Sequence, residues 1–356
     1  MTKPVFIAVT GPFRNVGDTV IRRLGLEWCR SVGLPHVYVG SGRGAWLEDL
    51  ELDPSDVVFT SSRVWLKALV RALPSRPVLV VEPGEFSLTR PFYPWAGAHA
   101  LLAVLVRLFG GRVIQLPRAL ARSDRSGRAL YRAFTHTANL TLWRRDIPTK
   151  ARTAVRSPDI AFSEIPDTDD DPSARDTIVV SVRGDREAPS IEALGVLRAD
   201  AAVNGCRLVF LAQVEADNDW AREGASAMAC ESSVWDADVS SPTHESHVRE
   251  IYRRSKAVLS DRLHVLVMAA AEGALPVAYS RVRADKAVAH FAAAGVDVSA
   301  YGDEDVLGSQ QPVSDALRQS MRVRAELKQA GIRARSALET ARLHAGGSSS
   351  RFKLRG

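Results

Sequence analysis

Short apolar runs alternate with amphipathic stretches along most of the chain. "VFIAVT" near the start reads as a buried strand, and "GDTVIRRLGLEWCRSVG" sets Val20, Ile21, Leu24 and Trp28 near one helical face and stops at Gly33. "HVYVGS", "DVVFTS" and "PVLVVEPGE" predict strands, with a helix over "VWLKALVRAL" ending near Pro74. A core helix is expected around residues 95–109, then the strand "GRVIQLP", a helix over 128–137 and the strand "NLTLWRRD". Strand and helix in alternation imply a parallel sheet with helices on both faces.

A second series follows "SEIPDTDDDPSARD", residues 163–176, whose prolines and Asp run read as a solvated linker. "TIVVSVRGD" and "CRLVFLAQV" predict strands around a helix at 189–204, and "SHVREIYRRS" predicts another helix. The segment 255–280, "SKAVLSDRLHVLVMAAAEGALPVAYS", reads as strand, buried helix and strand. A helix over 284–294 and a long Arg-rich one over 312–344 complete the pattern. The expected fold class is α/β, two Rossmann-like domains facing a cleft, with the C-terminal helix packing back on the first domain. The division is 1–165 for the N-terminal domain, 166–310 for the C-terminal one, 311–345 for the helix and 346–356 for a disordered tail.

Composition narrows the function classes. The chain has 356 residues and a formal net charge of +6, which favours an anionic partner. No Lys/Arg run interleaved with aromatics and no zinc-finger spacing points to nucleic acid, so none is expected. Three scattered cysteines, Cys29, Cys206 and Cys230, argue against a disulfide framework and fit a reducing, cytoplasmic setting. The start lacks a signal-peptide pattern, and the longest apolar stretch, "WAGAHALLAVLVRLFGG", is broken by His99 and Arg107.

The chemistry-bearing residues collect where strands end. Arg262 and His264 open the apolar helix after "AVLS", where free N–H groups and the dipole favour an anion. In "TGPFRNVGDTVIRR", Arg14, Asn15, Gly17 and Asp18 stand at the first strand–helix turn, without the GxGxxG of a dinucleotide fingerprint. Asn15 and Asp18 either bind hydroxyls or cap the helix. Gly40, Gly42 and Gly44 make a weak phosphate-loop signal. "VVEPGEF" puts Glu82 and Glu85 at a strand end, "TLWRRDIP" puts Arg144, Arg145 and Asp146 there, and "SVRGDRE" puts Arg183, Asp185 and Arg186 there. "THESH" does not have HExxH spacing, so no metal is expected.

"GPFRNVGDTVI", "NLTLWRRD", "PDIAF", "SVRGDRE" and "SDRLHVLVMAAAEGALPVAYSRVRADK", in this order, resemble the polysaccharide pyruvyl transferase family. The resemblance implies a GT-B-like fold and phosphoenolpyruvate as co-substrate, with no other cofactor. The product would be a pyruvate ketal on two hydroxyls of a sugar in a polysaccharide or lipid-linked glycan. It also implies that Arg262, Leu263, His264, Arg145 and Lys286 line the donor site. Arg183 joins them as a strand-end cation. His264 is the expected general acid and Asp18, or Glu82, the expected base. Where the family often carries Leu-Pro-Gln-Ser-Ile-His, this chain has "LPRALAR", so Arg118 or Arg122 would supply the missing cation.

Two other readings fit the same strand-end cations. One is a GT-B glycosyltransferase using a nucleotide sugar; the other is a catalytically inactive homologue acting as a binding subunit. The Arg-rich C-terminal helix adds a peripheral contact with an anionic membrane as an alternative to packing on the first domain. Homo-oligomerisation is left open.

Overall fold

A computed structural model of the chain describes residues 2–11, 14–40, 44–145, 153–168, 174–283 and 285–347. Gly42, Asp146 and the tail beyond residue 347 lie outside them. The chain forms two compact units. The first comprises Met1–Gly11, Val20–Ile160 and Arg333–Gly356; the second comprises Pro12–Thr19 and Ala161–Ile332.

The first unit is built on β1 (Pro4–Ala8), α1 (Val16–Val32), β2 (Leu34–Tyr38), α2 (Gly44–Asp49), β3 (Val57–Phe59), α3 (Ser62–Ala72) and β4 (Val78–Val81). It continues through β5 (Gly84–Leu88), α4 (Tyr93–Leu108), β6 (Arg112–Ser123), α5 (Arg125–Thr137), β7 (Leu140–Trp143) and β8 (Ala154–Arg156). The strands pair in parallel in the order β3-β2-β1-β4-β6-β7-β8, with β5 added along the far end of β6. The order reverses between β1 and β4. Trp65 and Leu69 of α3, Ala103 and Val106 of α4, and Tyr131 and Phe134 of α5 share one buried cluster with Phe6, Leu79, Val113 and Trp143 of the sheet. One three-helix layer therefore covers this side.

Two local expectations change here. The "LPRALAR" stretch is strand, because β6 runs on to Ser123 and pairs with β5, which the sequence pattern had not separated from β4. Gly84 makes that separation: its φ of 126° is open to glycine and hostile to other residues, and it breaks the apolar run after Val81.

The second unit contains β9 (Thr177–Val180), α6 (Ile191–Val203), β10 (Arg207–Leu211), α7 (Asn218–Met228), β11 (Glu231–Ser233), α8 (Ser241–Arg253) and β12 (Ser255–Ser260). After them come α9 (Leu263–Ala271), β13 (Leu275–Tyr279), α10 (Asp285–Ala293), β14 (Ala300–Tyr301), α11 (Asp303–Ser309), α12 (Pro312–Arg318) and α13 (Ser320–Gly346). The sheet order is β11-β10-β9-β12-β13-β14, all parallel, and it reverses between β9 and β12. The helix α7, which buries Trp220, Ala221, Gly224, Ala225 and Met228, escaped sequence reading. Gly224 lets it approach β10 so closely that a Cβ there would lie 2.7 Å from Phe210.

The long C-terminal helix is two helices, divided at Gln319 where neither Gly nor Pro announces a break. The end of α13 belongs to the first unit, as expected. The Trp28 indole N–H donates to the Leu338 carbonyl at 2.9 Å and Lys3 Nζ to the Ala345 carbonyl at 2.6 Å. Within α13, Arg322 pairs with Glu326 and Arg342 with Glu339. Among the described residues no helix is long and apolar enough to cross a membrane.

The α1–β2 corner gives a stability test. A Cβ on Gly33 would lie 2.1 Å from the Lys3 carbonyl oxygen, the acceptor of the Leu34 N–H that starts β2. Gly33→Ala is expected to destabilise the chain by about 1–3 kcal/mol, the usual range for overpacking, read as a lower denaturant midpoint with an unchanged slope.

Candidate functional site

Each sheet has its strand order reversed once, and the loops at the carboxyl ends of strands flanking such a point form a crevice. In the second unit those strands are β9 and β12. The loop after β12 is Asp261-Arg262, and α9 starts at Leu263. Val265–Ala270 are buried, so the body of α9 is a fixed anchor. Its N-cap is Arg262, a side chain with no acceptor, and no side chain caps the first turn. The N–H groups and positive dipole end of a helix opened this way favour an anion.

The loops are tied together by two buried carboxylates. Asp217, after β10, accepts from Arg262 Nε and Nη2, both at 2.7 Å, and its Oδ1 also accepts from the Gly184 N–H at 2.8 Å. Its side chain is 1% exposed. Asp261 accepts from the Arg183 N–H and from Arg186 Nη1, both at 3.0 Å. Burial pushes its carboxyl pKa up, and Arg186 opposes that shift. Arg183 itself makes a bidentate pair with Asp185, and this hydrogen bonding holds the Asp185 carboxyl down at about 2. That pair is partly solvated, and such pairs contribute little, about 0–1 kcal/mol, so Arg183 can exchange it for a ligand. Arg262 is a strut by comparison.

The β1–α1 segment belongs to this unit. Arg14 has φ 54° and contacts Trp235 with its guanidinium carbon 4.6 Å from the ring centroid. It donates to the Asp236 and Ala237 carbonyls, and its Nε lies 2.7 Å from Glu215. Left-handed backbone at a non-glycine costs about 1–3 kcal/mol, which these contacts offset. Trp235 also stacks on His244, at 4.4 Å between centroids. The His244 Nε2–H donates to the Ala212 carbonyl at 2.9 Å, and burial pulls the ring's pKa down to about 4.

Asn15 caps α1: its Oδ1 accepts from the Asp18 N–H at 3.3 Å and its Nδ2 donates to the Asp18 carboxylate at 2.8 Å. Of the two readings open for this pair, the structure shows helix capping. Gly17 is buried against His264, and a Cβ on it would lie 2.4 Å from the His264 Cβ. Glycine is required there by packing.

In the first unit the order reverses between β1 and β4. Glu82, after β4, accepts from the Thr10 N–H at 3.2 Å and lies 3.3 Å from Arg22 Nε. Beside it is a pocket of about 310 Å³. Tyr38, Trp65, Leu66, Val81 and Leu102 give it apolar and aromatic walls, with Thr10, Glu82 and His99 as polar groups. Arg118 is not part of it. It is 2% exposed, stacked 3.8 Å over the Phe86 ring, with its pKa lowered by burial. Its expected role at a solvent-facing cleft is corrected: β6 carries it inward.

The residues named from sequence thus divide. Arg14, Asn15, Gly17, Asp18, Arg183, Arg262, Leu263 and His264 share the second unit, whereas Glu82, Arg118 and Arg145 belong to the first. Arg145, 30% exposed, faces Glu85 at 4.0 Å. Lys286 is exposed in the first turn of α10, one strand further along the sheet. Sequence reading missed Asp217, Glu215 and Trp235, which lie in the stretch 215–245 that it left unparsed. The acid at the end of the strand "CRLVFLAQV" was the available signal. Among the described residues no His, Cys, Asp and Glu cluster fits a metal ion.

No protein-family model matches the sequence, and neither does any curated protein. Solved structures match over nearly the whole chain. UDP-GlcNAc 2-epimerase from Neisseria meningitidis bound to UDP-GlcNAc has a TM-score of 0.56 at 10% identity, covering 95% of this chain and 99% of that one. Anabaena HepE in complex with UDP has a TM-score of 0.53 at 12% identity, covering 97% and 98%. The calicheamicin glycosyltransferase CalG4 has a TM-score of 0.51 at 9% identity, covering 98% and 100%.

These likenesses establish the fold as two α/β units of the GT-B type. They overturn the expected phosphoenolpyruvate-dependent pyruvyl transfer: the Neisseria epimerase structure holds UDP-GlcNAc and the HepE structure holds UDP. The cations agree with that correction. A compact trianion would need several uncommitted arginines together, yet Arg262 is held by Asp217.

Two outcomes follow from this geometry. Gly17→Ala is expected to displace His264 and weaken anion binding at α9 at least about tenfold, about 1.4 kcal/mol, measured by calorimetry on folded protein. His244 is neutral in the fold with a pKa of about 4, against about 6.5 when unfolded. The unfolded chain therefore binds more protons between those values. Stability is expected to fall as pH drops from 6.5 towards 4, and His244→Gln should flatten that limb of a denaturation series.

Proposed function

We propose that the chain is a glycosyltransferase that takes its sugar from a nucleotide sugar. The observation that carries this reading is the reversal point of the second unit. The uncapped start of α9 after β12 and the Arg183 loop after β9 stand side by side there, joined by Asp261 and Asp217. A diphosphate needs backbone N–H donors, a helix dipole and a cation able to leave a weak partner. Leu263 and His264 supply the N–H groups, and Arg183 supplies the cation. Charge builds on the leaving diphosphate during glycosyl transfer, and donors already fixed by α9's buried body stabilise it without reorganising. The nucleotide-sugar ligands of the structural neighbours support the same donor class.

Transfer is favoured over epimerisation because the first unit has its own pocket at its own reversal point. Epimerisation of one nucleotide sugar needs no second substrate. An acceptor does need a site, and Glu82 is the carboxylate at its edge to receive a hydroxyl proton.

The test compares ligands by thermal unfolding. UDP at about a hundredfold over its Kd is expected to add about 2.7 kcal/mol of stability, and Arg183→Ala to remove most of it. Incubation with UDP-GlcNAc then separates the chemistries. UDP release that depends on an added acceptor supports transfer; a C2 epimer formed without acceptor replaces it with epimerisation. No shift with UDP or other nucleoside diphosphates overturns the donor assignment.

A further inference from the structure

The helical layer of the first unit differs from the rest of the chain in charge. α3 carries Arg63, Lys67 and Arg71, α4 ends on Arg107, and α5 adds Arg125, Arg128 and Arg132. All seven are exposed, and none of the three helices contains Asp or Glu. The whole chain is only +6, and these three helices alone bring seven cations without an acid. Of the acids nearby, Asp124 caps α5 through the Gly127 N–H and accepts from Tyr93, and Glu82 is held by Thr10.

The same layer exposes apolar side chains in order. On α4, Leu101 is 61% exposed, Val104 38% and Leu108 75%, a spacing of three and seven residues on one face. Pro94 and Ala98 continue that face, and Phe92 and Phe109 stand exposed at the two ends of the helix. Val64, Leu66 and Val70 of α3 are exposed as well. The inner faces of these helices are already in the core, so this apolar surface is additional.

We propose that the α3–α4–α5 layer docks on an anionic lipid bilayer. An apolar stripe flanked by Arg and Lys without acids matches a headgroup surface, where leucine and phenylalanine enter the acyl boundary and cations meet phosphate. Nucleic acid would use the cations but leave Leu101 and Leu108 unmatched. The pocket beside Glu82 is walled by α3 and α4, so an acceptor carried in the bilayer would meet it at the docking face. The surface differs from α13, where Arg322 and Arg342 pair with Glu326 and Glu339 of the same helix. It stands whether or not the donor assignment holds.

The full chain is sedimented with vesicles of phosphatidylcholine alone, or of equimolar phosphatidylcholine and phosphatidylglycerol, at low and high salt. Binding to the anionic vesicles is expected, weakened by salt. The double variant Leu101→Gln, Leu108→Gln should lower it at least about tenfold with UDP binding and unfolding midpoint retained. Arg63→Gln with Lys67→Gln and Arg71→Gln should lower it and reduce its salt dependence. Absence of binding to anionic vesicles overturns the proposal, as does binding that both variants leave intact. Self-association of the wild type that Leu101→Gln, Leu108→Gln abolishes, without vesicle binding, makes this face a protein interface instead.

Discussion

The second unit is organised around one buried ion pair, Asp217 with Arg262. The carboxylate is removed from water, which is costly unless every lone pair is met. Arg262 meets it from the β12 loop with two bonds and Gly184 meets it from the β9 loop with a third. Three loops, after β9, β10 and β12, are fixed by a single side chain. Truncating Arg262 would leave a buried carboxylate without its partner, a change that typically costs about 3–5 kcal/mol. Arg262 is thereby held at the opening of α9.

How far the sequence exposed this follows from where each interaction sits. β12, α9 and β13 were legible because an apolar strand, a polar turn and a small-residue helix stand within 25 consecutive residues. The anion preference of the α9 start was legible for the same local reason. Asp217 was not, because it lies 45 residues before Arg262 and no periodicity links them. That partner bears most directly on the nature of the anion. With Arg262 taken as a free cation, a compact phosphate–carboxylate was the natural ligand; with Arg262 neutralised, a diphosphate on helix N–H groups and Arg183 suits the site better. The resemblance to pyruvyl transferases rested on the same strand-end residues and inherited the same ambiguity.

In the first unit, "LPRALAR" read as a damaged motif because its residues were judged as site groups. Paired with β5, they are strand residues, and Arg118 is carried into the interior over Phe86. A cation there keeps its charge at the expense of solvation, as its lowered pKa indicates. The pocket was invisible from sequence for a related reason. Tyr38, Trp65 and Leu102 come from β2, α3 and α4, each of which reads as ordinary core on its own.

The two reversal points share a topology and differ in chemistry. One is lined by carboxylate–guanidinium pairs, backbone N–H groups and an imidazole; the other by aromatic and aliphatic walls with a carboxylate at the rim. A crevice of the first kind selects charge and tolerates a variable remainder, since its donors address phosphate. One of the second kind selects shape and apolar area and gains little from charge. The helix α1 begins among the residues of the polar site, where Gly17 meets His264, and continues in the apolar unit, where Arg22 reaches Glu82. A helix is stiff along its axis, so the Gly17 that packs on His264 and the Arg22 that pairs with Glu82 keep a fixed spacing along α1.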